Sequence, residues 1–104
     1  MNWRIADDGL RVRLNALDVH ELNTRGELQV GWHIQNSEMV TFRLYLRAIE
    51  EFALDVGSNG WTLAWPKDAW DQMPKSPGSS TTLEKHNKLN NSRLCIVLEV
   101  DLKH

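Results

Sequence analysis

From Arg11 to Gly26 the chain reads Arg-Val-Arg-Leu-Asn-Ala-Leu-Asp-Val-His-Glu-Leu-Asn-Thr-Arg-Gly, a strand that runs straight into a capped helix and stops at a glycine. Leu10, Val12 and Leu14 alternate with Arg11 and Arg13, so one side of the strand is apolar and the other wet. Asn15 then stands at the cap, where its side-chain oxygen can accept an orphan amide of the first turn. Asp18, three residues on, places an acid near the positive helix end. Ala16, Val19 and Leu22 share a helical face, and Gly26 supplies the left-handed stop. A strand and a helix joined without a loop must pack on one another, which limits the chain to folds that layer helix on sheet.

The rest of the chain supplies that sheet. Asp7-Asp8-Gly9 is a tight-turn signal that joins a short strand near Trp3–Ala6 to Leu10–Leu14. Leu28, Val30, Trp32 and Ile34 alternate with Gln29, His33 and Gln35. After a turn at Asn36-Ser37, Val40, Phe42, Leu44 and Leu46 continue the inward pattern, giving a long hairpin. Residues 42–56 also fit helical spacing through Phe42, Tyr45, Ile49, Phe52 and Val56. The strict alternation of Phe52, Leu54 and Val56 up to Gly57-Ser-Asn-Gly60, mirrored by Trp61, Leu63 and Trp65, favours strand, turn and strand. Pro66 opens a short helix over Lys67–Met73, with Ala69, Trp70 and Met73 on its apolar side, and Pro74 and Pro77 stop it. In the last strand Leu94, Ile96, Leu98, Val100 and Leu102 point inward, while apolar Cys95 and Val97 on the opposite side mark a central strand covered on both faces near its start.

The expected fold is therefore α+β: one mainly antiparallel sheet of about six strands with two short helices on one face. At 104 residues it is a single domain, 1–104. Residues 74–92 are rich in Pro, Ser, Thr, Asn and Lys and are expected to form a flexible polar loop. The order strand, immediate cap, helix occurs at Leu10–Gly26 and again at Trp61–Met73, with too little identity to make a sequence repeat.

Composition narrows the function. Net charge is -2, which gives no global basis for binding nucleic acid or membrane. No apolar run could cross a bilayer or serve as a secretory signal, and the single Cys95 allows no internal disulfide, so a bacterial cytoplasmic location is expected. Over residues 74–93, Lys75, Lys85, Lys88 and Arg93 stand against Glu84 alone, a weak and salt-sensitive surface for an anionic partner.

Several residues invite a chemical reading. His20-Glu21 resembles the start of a zinc-protease helix, but position 24 is Thr where the second His would stand, so no metal site is assigned. Cys95 lies beside core residues, a setting for an inert thiol. Pro77-Gly-Ser-Ser-Thr-Thr82 lacks the Gly-Lys-Ser/Thr ending of a nucleotide loop. Glu99 and Asp101 leave one strand face roughly 7 Å apart, near the spacing of paired-carboxylate hydrolases, yet pairing with Arg11 or Arg13 on a neighbouring strand is favoured. Five tryptophans are many for this length; Trp61 and Trp65 share a strand face, and Trp32 and Trp70 fall on apolar faces, mostly as core.

These residues resemble a known family. Arg11-Val-Arg-Leu-Asn-x-x-Asp-Val-x-x-Leu-x-x-x-Gly26 is similar to the opening Arg-Leu-Arg-Leu-Thr-x-x-Glu-Val-x-x-Leu-x-x-x-Gly of a family of short bacterial proteins of unknown function. The strand ending at Pro66, followed by a helix with Trp70, is similar as well, and Val97-Leu-Glu-Val-Asp-Leu102 resembles that family's closing Val-Glu-Lys-Asp-Phe. Asn15 and Asp18 replace Thr and Glu with the capping chemistry kept; Val100 and Leu102 replace Lys and Phe. The resemblance implies fold and cytoplasmic location, with no activity or catalytic residue.

The functional expectation is a non-enzymatic module, without cofactor, that binds a partner protein or a second copy of itself. The alternative is a small-molecule-binding or hydrolytic protein using a Trp-lined face with His33, Glu99 and Asp101. Binding residues on these readings are Trp61, Trp65, His33, Glu99 and Asp101, with Lys85 and Lys88 for an anionic partner.

Overall fold

The computed structural model describes the backbone of residues 1–7, 9–33, 39–73, 80–89 and 92–102, and the side chains of these apart from residues 6, 33, 80–89 and 92–94. Among them are eight strands and two helices in the order β1 (Asn2–Ala6), β2 (Gly9–Leu14), α1 (Ala16–Arg25), β3 (Glu27–His33), β4 (Met39–Arg47), β5 (Ala53–Gly57), β6 (Gly60–Pro66), α2 (Lys67–Gln72), β7 (Ser80–Leu89) and β8 (Ser92–Asp101).

The strands form two four-stranded sheets, β1-β2-β8-β7 and β3-β4-β6-β5, and not the single six-stranded sheet expected. Neither sheet is purely antiparallel: β2 runs parallel to β8, and β4 parallel to β6. Alternation fixes which side of a strand is apolar but is silent on its neighbour. The four hairpins pair with partners far along the chain, and that long-range choice creates both parallel contacts. The helices do not cover one sheet face. They lie where β2 and β6 finish, and they touch, the Trp70 indole donating to the Asn23 side-chain oxygen at 2.8 Å.

Part of the segment expected as a polar loop at 74–92 is strand, since Ser80–Leu89 pair antiparallel with β8 along its length. An edge strand is hydrogen-bonded on one side only and tolerates polar residues that a central strand would not. Its partner β8 is central, as the burial of Cys95 and Val97 beside Ile96 and Leu98 requires. The helical alternative for 42–56 fails, as these residues fall in β4, a bend and β5.

The chain is two successive ββαββ segments, β1-β2-α1-β3-β4 and β5-β6-α2-β7-β8, and the first hairpin of each completes its sheet with the second hairpin of the other. Register carries the likeness to single residues. Gly9 pairs with Cys95 and begins β2, as Gly60 pairs with Thr41 and begins β6. Leu10, Val12 and Leu14 thus correspond to Trp61, Leu63 and Trp65, and Ile5 corresponds to Val56. The strand-cap-helix order seen twice in the sequence belongs to this larger repeat.

One core serves both sheets and both helices. It contains Leu10, Val12 and Leu14 of β2, Val19 and Leu22 of α1, Leu28, Leu44, Leu63 and Trp65 of the second sheet, Trp70 and Met73 at α2, and Ile96, Leu98 and Val100 of β8. The α1 termini are built as the sequence dictates. Asn15 Oδ1 accepts from the Asp18 amide at 3.0 Å, the Asp18 carboxylate accepts in return from the Asn15 amide, and Gly26 closes the helix in the left-handed region with φ of 75°. Replacing Asn15 by Ala removes one half of this box and should lower unfolding free energy by about 1 kcal/mol, measured by urea denaturation.

Candidate interaction surface

The two ends of the paired sheets are unlike. At the end where β2 and β6 finish, α1 and α2 close over the core. At the other end, among the described residues, aromatic rings lie over it. Trp3 of β1 reaches across to Phe42 of β4 with ring centroids 5.1 Å apart, and Phe42 in turn meets Trp32 edge-on at 5.3 Å and Trp61 at 6.1 Å. In this four-ring cluster side chains of the two sheets meet.

The cluster is not sealed. Trp32 is 51% exposed, and the apolar residues flanking the rings are more open still, Ile5 at 71% and Val56 at 56%. Ile5 lies two residues beyond Trp3 on the same face of β1, and Val56 is the cross-strand partner of Trp61. Ile5, Trp3, Phe42, Trp32, Trp61 and Val56 therefore form a continuous apolar band from the edge of one sheet to the edge of the other. Single exposed apolar side chains are ordinary on a protein surface, whereas contiguous ones mark surfaces of interaction. Trp3 Nε1 finds no acceptor among the described residues, a donor held in an apolar setting at the same end.

Sequence reasoning placed Trp32 inward with the core; the structure corrects this to a half-exposed ring at the rim. Ile5 and Val56 were missed altogether. Both precede a tight turn, where the strand ends before its apolar side is covered, and that position was the available signal. Trp61 belongs to the band, half buried. Trp65 does not: it is wholly buried and stacks on Phe52 at 6.3 Å with rings nearly parallel. His33 ends β3, and Lys85 and Lys88 fall in β7, but their side chains lie outside those described.

The carboxylates are spoken for. Glu99 accepts from Arg11 at 3.4 Å and Asp101 is paired with Arg13, which are the partners the sequence favoured. These pairs occupy the outer face of the first sheet, whereas Trp61 faces the layer between the sheets, so the structure does not bring the acids and the tryptophan together. The outer face of the second sheet is also ion-paired. Arg43 donates to Glu27 at 2.7 Å and lies 4.8 Å from the Tyr45 ring centroid, with Arg47 5.1 Å from the same ring. The hydrogen bond from Arg43, and then its charge, hold the Glu27 carboxyl below the usual range. On α2 the Asp71 carboxylate, by hydrogen bond and charge, holds Lys67 above its ordinary value. His20 is exposed on α1, and Cys95 is buried in β8. Among the described residues no three metal-ligating side chains converge, and no helix is long and apolar enough to cross a membrane.

No curated protein and no solved structure matches the chain. The resemblance read from the strand-cap-helix motif holds at the level of the family: a family model for proteins of unknown function, DUF7009, matches residues 1–104, and the chain belongs to that family.

Proposed function

We propose that this protein is a non-enzymatic interaction module that uses its aromatic end to bind protein, either a partner or a second copy of itself. The observation that carries this reading is the exposure of Ile5, Trp32 and Val56 around Trp3, Phe42 and Trp61, one apolar band spanning both sheets. Aromatic residues are favoured in the centre of protein interfaces because they bury much area at little cost in conformational entropy. A lone cysteine, buried in β8, accords with a reducing compartment, and we place the protein in the cytoplasm. The acidic-site alternative gains nothing from a carboxylate pair already engaged by arginines.

The test is a double substitution, Ile5→Lys with Val56→Lys. Both side chains are exposed, so the fold should tolerate the change within about 0.5 kcal/mol at each site. Light scattering over a range of concentrations, and capture from a native lysate, are compared with the unsubstituted protein. The expected result is association by the unsubstituted protein that the double variant loses while its thermal midpoint is kept. A strictly monomeric protein whose captured set is identical in the two forms would reject the proposal.

A further inference from the structure

The outer face of the first sheet carries an arrangement that neither the core nor the aromatic band explains. Arg4 of β1 is the direct cross-strand partner of Arg11 of β2, and Asn2 is that of Arg13. Like charges placed opposite one another on adjacent strands are destabilising. Neighbouring acids relieve this only in part. Glu99 makes a single long contact to Arg11 at 3.4 Å, Asp101 pairs with Arg13, and no carboxylate among the described residues pairs with Arg4. Arg4, Arg11, Arg13, Asn2 and Glu99 line one concavity of about 70 Å³. Pockets for whole small molecules usually run to roughly 300 Å³ or more, so this one suits a single anionic group.

We propose that this concavity is a binding site for one phosphate group, taken from inorganic phosphate or from a small phosphate monoester, with Arg4 and Arg11 as its principal donors. Guanidinium groups match phosphate oxygens with paired, charge-assisted hydrogen bonds. Three of them line the concavity from two strands, Arg11 also paired with Glu99 and Arg13 with Asp101, and together they offer more donors than the two oxygens of a planar carboxylate can use. Asn2 adds an amide donor beside Arg13. Glu99, paired with Arg11, also lines the site and opposes the incoming charge. A phosphate bridging Arg4 and Arg11 replaces a cross-strand repulsion with two attractions. The site stands on the opposite side of β1 from Ile5 and Trp3, so it does not depend on the aromatic end.

Titration with inorganic phosphate, and separately with glycerol phosphate, is followed by the amide resonances of β1 and β2, with acetate at equal ionic strength as the control. Saturable shifts centred on Arg4, Arg11 and Arg13 are expected. The Arg4→Gln variant, an edge-strand surface change that leaves the fold intact, should bind roughly ten-fold more weakly. Glu99→Gln should bind several-fold more tightly, a gain that a merely structural role for Glu99 would not produce. Tighter binding of the monoester assigns the phosphate to an organic ligand, and tighter binding of inorganic phosphate assigns it to the free ion. The proposal is overturned by shifts that never saturate, by an Arg4→Gln variant that responds like the unsubstituted protein, by weaker binding in Glu99→Gln, or by an equal response to acetate.

Discussion

Gly60→Ala should lower the stability of this protein by roughly 3 kcal/mol, and Gly9→Ala by a similar amount, in denaturant melts of the full chain. A methyl group on Gly60 would lie 1.7 Å from the Thr41 carbonyl oxygen, and one on Gly9 would lie 1.8 Å from that of Cys95. No side-chain rotation relieves either clash, because the obstacle in each case is the backbone of the neighbouring parallel strand. Gly60 also adopts φ of 138°, a region costly for any residue with a Cβ. The strand must move away, and the β4–β6 or β2–β8 pairing moves with it. Gly26→Ala makes the informative comparison. It shares the positive φ, but nothing lies within 4 Å of the added methyl group, so it should cost only about 1 kcal/mol. If Gly60→Ala proved as mild as Gly26→Ala, the close approach across the parallel pair would be refuted.

The paired glycines also show what the repeated topology demands. Each stands where a first hairpin meets the second hairpin of the other half, at the start of the one parallel pairing among the described strands of its sheet. Each four-stranded sheet takes one hairpin from each half. The fold is therefore cooperative across the whole chain, and the one shared core, filled from both segments, is the energetic expression of that exchange.

Local rules sufficed for the local structure. Alternation at 10–14, 40–46 and 96–102 states which side chains turn inward, and the Asn15, Asp18 and Gly26 signals bound α1 at both ends. Three things were out of reach for reasons that can be named. Hairpin exchange is decided by packing between residues as distant as Arg13 and Glu99, and nothing in the alternation of either strand encodes it. β7 has the composition of a loop because an edge strand need not bury both its faces. Ile5, Trp32 and Val56 have the pattern of core residues, yet they sit at strand ends beyond the reach of the opposite layer. Polarity pattern gives the face of a residue and leaves its height along the strand undetermined. The candidate surface was hidden in that second coordinate.

The two wholly buried tryptophans should respond very differently to loss of the indole N–H. Trp65 and Trp70 each fill the core without exposure, and truncation of either to Ala should cost about 3–5 kcal/mol through lost burial and the cavity left behind. Substitution by Phe separates them. Trp70 Nε1 donates to Asn23 at 2.8 Å and so ties α2 to α1. Trp70→Phe leaves the Asn23 oxygen without this donor and loosens the contact between the helices, adding about 1 kcal/mol to the cost of the smaller ring. Trp65 Nε1 is buried with no acceptor among the described residues, so removing that donor abolishes a desolvation penalty. Trp65→Phe should keep the ring contact with Phe52, nearly parallel at 8°, and its gain from losing the orphan N–H should offset much of the volume deficit. The measurement is the difference between the two Phe variants in urea midpoint at equal slope, with Trp65→Phe the more stable. Asn23→Ala then discriminates further: it should destabilise the unsubstituted protein and the Trp65→Phe variant alike, yet change Trp70→Phe far less, because its partner is already gone. Equal losses from Asn23→Ala in all three backgrounds would mean that the indole of Trp70 does not join the helices.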